Sequence, residues 1–153
     1  EERDNARQIF SSPLLVNNPE SLLWKAYIAA TEQNWDYAYK YFKSCSALAD
    51  YYPTPYQEAL YLRIADTYLA MNDVAAAEKY VEKLANIENP SSQIASGLAY
   101  VMGQMLLLKG DPEGAADIWY NALVTKELFY RMRIEMSLRD LVAKMKALHG
   151  KKE

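Results

Sequence analysis

The chain has 153 residues, of which 51% are hydrophobic and 24% are charged, and its formal net charge is −3. A chain of this length is expected to form one domain, and its five glycines among plentiful alanine, leucine, tyrosine, glutamate and lysine favour helix over sheet. The longest apolar run, Leu98 to Leu108, is interrupted by Gln104 and is too short to span a bilayer, so we expect no membrane insertion in this segment.

Residues 1–18 are predicted to form a leader that continues from a region preceding Glu1. Within it, Glu1 to Phe10 has the composition of a helix, which Ser11-Ser12-Pro13 ends. We expect Leu14 to Val16 to lie against the helices that follow. Asn18-Pro19-Glu20 then combines a side-chain cap, a proline in the first turn and an acid near the positive helix end. These three residues predict the start of a helix.

Three pairs of helices are predicted next, over residues 19–127, and each pair folds back on itself at a short turn. The turns lie at Gln33, Asn72 and Gly110, so that successive turns are 39 and 38 residues apart. Prolines separate the pairs, because proline cannot donate a hydrogen bond to a continuing helix. The pairs span about 19–53, 55–89 and 91–127, with helices predicted at 19–33, 35–51, 56–71, 73–87, 91–109 and from 112 to a break near 125.

Small and bulky residues recur at corresponding places in the three pairs. They are Leu22, Ala26, Ala29, Trp35, Ala38 and Phe42 in the first, Tyr61, Ala65, Tyr68, Val74, Ala77 and Val81 in the second, and Ala99, Gly103, Leu106, Pro112, Ala115 and Trp119 in the third. Small residues at a helix crossing let the two axes approach closely. The pattern resembles the tetratricopeptide repeat (TPR) family, whose standard repeat is roughly 34 residues long. The resemblance implies an all-α, right-handed α–α superhelix that binds other proteins.

In TPR domains the first helices of successive pairs line a concave groove. Carried over to this chain, the resemblance implies a partner-binding groove at Leu23, Tyr27, Arg63, Asp66, Tyr100 and Gln104. Such a surface suits an extended or helical peptide with apolar anchors. Some family members clamp a terminal carboxylate with Lys, Asn and Arg, but Leu23 and Tyr27 stand at two of those places, so the resemblance does not imply that activity.

Residues 128–153 are predicted to form a C-terminal helix and a basic tail. Apolar residues spaced by four and three give this helix one apolar face: Ile134, Leu138, Leu141, Met145 and Leu148. From Lys126 onward, eight Lys or Arg and four Asp or Glu give a net charge of +4, whereas residues 1–125 carry −7. Two interpretations stay open. The helix caps the last pair, or Leu141, Met145 and Leu148 dock a second copy or an acidic partner helix.

No catalytic, metal or cofactor site is predicted. His149 is the only histidine, so no histidine-based triad or histidine-rich metal cluster can be built, and the five glycines form no phosphate-binding loop. Cys45 cannot form an internal disulfide and is predicted to be a small buried residue. Most of the 13 tyrosines are predicted to pack between helices.

The sequence therefore predicts a non-catalytic module that binds a peptide or helix of a partner protein. The alternative is an architectural subunit of a larger assembly, held through its terminal helix. Tyrosines interleaved with Lys40 and Lys43 allow base stacking on nucleic acid, but the acidic balance of the chain disfavours that function. Pro19-Glu20 followed by Leu23-Trp24, and Asn34-Trp35, resembles helical-repeat segments of bacterial envelope proteins. That resemblance favours a periplasmic location over a cytoplasmic one without deciding between them.

Overall fold

The computed structural model describes residues 2–10 and 18–150, and in these ranges the chain forms eight α-helices, one 3₁₀ helix and no β-strand. The all-α class predicted from the sequence is confirmed. The chain divides into two compact units, unit 1 (Glu1–Tyr80) and unit 2 (Val81–Glu153). The α-helices are α1 Glu2–Phe10, α2 Pro19–Thr31, α3 Trp35–Cys45, α4 Thr54–Ala70, α5 Val74–Ala85, α6 Ser92–Leu108, α7 Pro112–Ala122 and α8 Leu128–Gly150.

Side-chain caps begin four of these helices, because the first backbone N–H groups of a helix have no partner within it. Asn18 Oδ1 accepts from the N–H of Glu20 at 2.9 Å, and Asp111 Oδ1 accepts from the N–H of Gly114 at 2.9 Å. Asp73 and Ser91 cap α5 and α6 in the same way. The predicted caps at Asn18, Asp73 and Asp111 are therefore confirmed.

The turns at Gln33, Asn72 and Gly110 share one backbone geometry. These residues have φ values of 61°, 60° and 87°, in the left-handed region that stops a helix. After each, the next N–H bonds to the carbonyl five residues back, in the pairs Asn34 to Ala29 (2.8 Å), Asp73 to Tyr68 (2.8 Å) and Asp111 to Leu106 (2.9 Å). This bonding satisfies carbonyl groups that the helix end leaves open, so the predicted stops are confirmed and the turn repeats in register.

Two helix boundaries in unit 1 differ from the prediction. The helix expected to reach Tyr51 ends at Cys45, whose φ of −131° interrupts it, and a 3₁₀ helix spans Ser46–Tyr51. The tighter winding of the 3₁₀ helix places Ala49 in the core. α4 begins at Thr54 instead of Tyr56, because Pro55 fits the first helical turn, where its missing N–H costs nothing.

Unit 1 is built on α2, which packs against both α3 and α4. α3 also contacts α4, and the 3₁₀ helix lies against α2, α3 and α4. The apolar side chains between them are completely buried: Leu23, Ala26, Ala38, Phe42, Leu60, Ile64 and Ala65. Cys45 is buried beside them, as predicted; its thiol lies 2.9 Å from the Tyr41 carbonyl, and burial raises the pKa of that thiol to about 11. Leader residues 11–17, including Leu14 to Val16, lie outside the described residues.

Tyrosine rings fill much of the remaining interior of unit 1. Tyr68 stacks on Tyr80 with ring centroids 6.1 Å apart, and it meets Tyr39 edge to face at 5.8 Å. Tyr61 lies 5.8 Å from Tyr80 and donates its hydroxyl to Asp50 Oδ1 at 2.6 Å. Burial, and then this carboxylate, raise the pKa of Tyr61 well above its ordinary value. These four rings pack between helices, as predicted for most of the tyrosines.

Unit 2 is built on α6, which packs against α7 and α8, while α7 also contacts α8. At the crossing of α6 and α7, the fully buried indole of Trp119 lies over Gly103 so closely that a Cβ atom there would overlap the ring. The Trp119 N–H donates to the Tyr100 carbonyl at 3.2 Å. On α8, Tyr130 and Ile134 face the same core and are 1% and 0% exposed.

Candidate partner-binding site

Four of the predicted groove residues lie in unit 1, and the structure brings two of them into contact at its surface. The Arg63 guanidinium carbon on α4 is 6.0 Å from the centroid of the Tyr27 ring on α2, a distance at which a cation is attracted to the ring. Both side chains are partly exposed. Leu23 and Asp66 are 0% and 3% exposed, so their side chains lie beneath the surface that Tyr27 and Arg63 form.

Tyr27 belongs to a group of aromatic residues that the sequence reasoning did not identify as a site. Trp24 meets Tyr27 and Tyr52 edge to face at 5.4 Å, and it meets Tyr56 at 6.4 Å. The Trp24 N–H donates to the Tyr52 hydroxyl at 3.0 Å. We call Trp24, Tyr27, Tyr52 and Tyr56 the aromatic cluster; Tyr56 is 57% exposed and the other three are partly exposed. The cluster gives unit 1 an apolar surface made of rigid rings, of the kind that anchors partner side chains.

The spacing of Trp24 and Tyr27, three residues apart on one helix, was a signal for this cluster, since residues three apart share a helix face. The positions of Tyr52 and Tyr56 depend on the 3₁₀ helix that separates them from α3. That element was not predicted, so the sequence did not place them beside Trp24.

The other two predicted groove residues, Tyr100 and Gln104, lie on α6 in unit 2 and contact α8. The Gln104 amide donates to the Tyr100 hydroxyl at 3.1 Å and to the Ser137 hydroxyl at 3.3 Å. The Arg133 guanidinium carbon lies 4.1 Å from the centroid of the Tyr100 ring, which is 8% exposed. The terminal helix therefore supplies the neighbours of both residues within unit 2, through Arg133 and Ser137, which sequence reasoning missed.

The three terminal-helix residues predicted to bind a partner differ in exposure. Leu141 is 5% exposed and belongs to the face of α8 that packs within unit 2. Met145 is partly buried, and Leu148 is 63% exposed. The apolar stripe therefore passes from the interior of unit 2 to its surface between Leu141 and Leu148.

The lysines once considered for nucleic-acid binding lie on tyrosine rings of their own helix. Lys40 Nζ is 5.4 Å from the Tyr41 ring centroid, and Lys43 Nζ is 4.9 Å from that of Tyr39. Burial, followed by the neighbouring Tyr41, raises the pKa of Tyr37 above its ordinary value. These contacts form a surface of tyrosine and lysine along α3.

Unit 2 also carries an open groove of about 530 Å³ between α6 and α7. Its walls are formed mainly by Ala95, Ala99, Ile118 and Ala122, and no charged side chain lines it. Over residues 2–10 and 18–150, no three His, Cys, Asp or Glu side chains are grouped so that they could hold a metal ion. In the same ranges, no helix has the length and apolar character needed to cross a bilayer.

The arrangement offers rings, a guanidinium group and helix faces, which are the means of non-covalent recognition. Comparison of the chain with known protein families, with curated proteins and with solved structures gave no match. The functional argument therefore rests on the residues and their geometry.

Proposed function

We propose that this chain is a non-catalytic, TPR-like interaction module that binds an extended or helical segment of a partner protein. In this proposal three antiparallel helix pairs form a right-handed superhelix, and α8 takes the place of a capping helix. Partner segments bind along the face to which the first helix of each pair contributes.

The observation that carries the proposal is the repeated turn. The residues with positive φ, the hydrogen bonds after them and the capping side chains of α5 and α7 recur at intervals of 39 and 38 residues. Five residues after each of these turns stands a completely buried alanine, namely Ala38, Ala77 and Ala115. A unit that repeats both its backbone and its packing residues is typical of helical-repeat proteins. Proteins of this class present extended surfaces for binding.

The proposal places the main contacts on unit 1, at the aromatic cluster and Arg63. Tyr27 and Arg63 are partly exposed, whereas Tyr100 is 8% exposed beneath Arg133. Rigid aromatic rings bind a partner with little loss of side-chain entropy, and aromatic and arginine residues dominate the energetics of many interfaces. We therefore expect a partner segment with apolar or aromatic anchors that lie against these rings.

A peptide-display selection tests this function. Peptides selected on the wild-type protein are expected to bind a Tyr27→Ala, Arg63→Ala variant at least about tenfold more weakly, because two contact residues of the kind that dominates interfaces are removed. The control is Tyr120→Ala, which removes an equally large but 72% exposed ring from unit 2. Unchanged affinity in the double variant, with melting temperatures matched to the wild type, would reject unit 1 as the binding surface.

The second candidate function is an architectural subunit held through its terminal helix. The observation that favours it is the exposed end of the apolar stripe at Leu148, in a region of net positive charge. The two functions use different surfaces, so the variants of Tyr27 and Arg63 leave the second one unaffected.

A further inference from the structure

The terminal helix α8 runs beside α6 in the same direction and extends past its end. Tyr100 on α6 lies beside Tyr130, with ring centroids 6.3 Å apart, and Gln104 bonds to Ser137, so both helices advance together. The same offset of 33 residues places the last residue of α6, Leu108, opposite Leu141. The nine residues 142–150 of α8 therefore project beyond α6 by about 13 Å at 1.5 Å per residue.

The projecting segment carries the apolar stripe of α8 with it. Ile134 and Leu141 are buried, and Met145 and Leu148 continue the same face at steps of four and three residues. That face points to the side on which α6 and α7 lie. Beyond Leu141 the hairpin has ended, and Leu148 is 63% exposed.

A second wall meets this stripe at the end of α6. Leu108 stands one helical turn after Gln104, which bonds to α8, so it lies on the side of α6 that faces α8. Leu108 is 40% exposed. Together Leu108, Met145 and Leu148 form an apolar corner between the hairpin end and the projecting helix, which we call the notch.

The charge around the notch is positive on the side of α8. Residues 142–150 contain Lys144 and Lys146 and no Asp or Glu. At the α6–α7 turn, Lys109 and Asp111 balance each other in formal charge. A ligand that places apolar groups in the notch therefore brings its edges against cationic side chains.

These features decide between possible occupants. Two projecting segments from two copies would each bring two lysines, and like charges placed together oppose binding. Nine residues with three apolar side chains also offer far less than the roughly 800 Å² per partner of a standard interface. A flat bilayer does not fit a stripe that faces the hairpin end, whereas one helix, about 10 Å across, matches a projection of about 13 Å.

We propose that the notch binds an acidic amphipathic helix of a partner protein. Apolar side chains of that helix, spaced three or four residues apart, pack on Leu108, Met145 and Leu148. Its carboxylates lie near Lys144 and Lys146. This site is in unit 2 alone and is separate from the function proposed for the aromatic cluster.

The test uses a fluorescently labelled synthetic helix with leucines at heptad spacing and glutamates elsewhere, titrated with the full chain and followed by anisotropy. The matched probe has lysine in place of every glutamate. We expect the acidic probe to bind, more weakly as salt increases, and the basic probe not to bind. Met145→Ser with Leu148→Ser should weaken binding at least about tenfold, and Lys144→Glu with Lys146→Glu should abolish it.

The control variant is Met132→Ser with Met136→Ser, which changes two residues on the opposite face of α8 that are 53% and 62% exposed. This variant should bind the acidic probe like the wild type. If the Met145 and Leu148 variant does not fold, Leu148→Ser alone replaces it, because that side chain is largely exposed. Equal binding of both probes, equal loss in the control, or dimerisation or binding to anionic vesicles that the Met145 and Leu148 substitutions abolish would each overturn the proposal.

Discussion

The hairpin α2–α3 of unit 1 and the hairpin α6–α7 of unit 2 share a backbone plan and differ in how they fill their crossing. Both turn on a left-handed residue followed by the same hydrogen bond, and both bury an alanine, Ala38 or Ala115, at the same distance from that turn. The first helix holds Ala26 in one hairpin and Gly103 in the other. The second helix holds a completely buried phenylalanine in unit 1 and a completely buried tryptophan in unit 2. The larger ring is thus paired with the smaller position.

This difference shows what the repeat specifies. It fixes where helices stop and start, while the sizes of the side chains at a crossing are exchanged within each pair, because interiors are packed to a nearly constant density. The units also satisfy polar groups differently. In unit 1 the hydroxyl of Tyr61 bonds to a carboxylate, whereas in unit 2 the indole of Trp119 bonds to a backbone carbonyl.

The largest effect is expected at the glycine that admits the tryptophan. Gly103→Ala places a Cβ atom within the Trp119 ring, so the ring or the helices must move. We expect a loss of unfolding free energy at the upper end of roughly 1–3 kcal/mol. Chemical denaturation measures it. Adding Trp119→Phe should recover part of the loss, because a smaller ring leaves room for the methyl group.

A matched glycine provides the control for that substitution. Gly150→Ala adds a Cβ atom that meets nothing within 4 Å, so its effect should be close to zero. A Gly103→Ala variant as stable as Gly150→Ala would show that the crossing in unit 2 is no tighter than that of unit 1, and the comparison would fail.

The next largest effect is expected from the tyrosine network of unit 1. Tyr61→Phe keeps the ring against Tyr80 and removes the bond to Asp50, which should lower the unfolding free energy by about 1.5 kcal/mol at neutral pH, since the acceptor is a carboxylate. The pH dependence should change as well. Because the folded chain holds the Tyr61 proton above the ordinary pKa of about 10, wild-type stability falls as the pH rises beyond that value.

In Tyr61→Phe this alkaline decrease should be shallower. Denaturation at pH 8, 9, 10 and 11 measures it. The burial-raised pKa values of Tyr68 and Cys45 leave a remaining slope of the same sign in both proteins. Parallel pH curves for the wild type and Tyr61→Phe would contradict a protonated, buried Tyr61.

The stops and starts of the helices could be predicted from the sequence because their causes are local. Asn72, Gly110 and the caps Asn18, Asp73 and Asp111 act within one turn of their own positions. The end of α3 could not be predicted in this way. Cys45 has no local signal for a helix end, and the 3₁₀ helix that follows it packs Ala49 against other helices.

The candidate site was predictable only in part, for the same reason. The position of Tyr27 on α2 follows from the repeat, and so does that of Arg63 on α4. Their contact with each other, and the placement of Arg133 over Tyr100, depend on side chains distant in the sequence. Tyr130, 1% exposed, lies outside the stripe predicted for α8, because its burial depends on the position of Tyr100.

The two turn residues allow a smaller and more direct comparison of the hairpins. Gly110 has φ of 87°, and a Cβ atom there meets nothing within 4 Å, so Gly110→Ala changes only the backbone preference. We expect a loss of about 1 kcal/mol in unfolding free energy. A change below the error of denaturant titration would mean that the turn tolerates another conformation.

The smallest effect has the opposite sign and lies at the corresponding turn of unit 1. Gln33 is exposed and holds φ of 61°, a region that residues with a side chain rarely adopt. Gln33→Gly removes this strain but gives the unfolded chain more freedom, so we expect a net gain of about 0.5 kcal/mol. Asn72→Gly should gain less, because asparagine accepts the left-handed region more readily than glutamine does. Denaturant titrations of both variants against the wild type measure these gains. If Gln33→Gly were destabilising, the Gln33 side chain would contribute more to its turn than the backbone strain costs, and the two hairpins would not be stopped by the same cause.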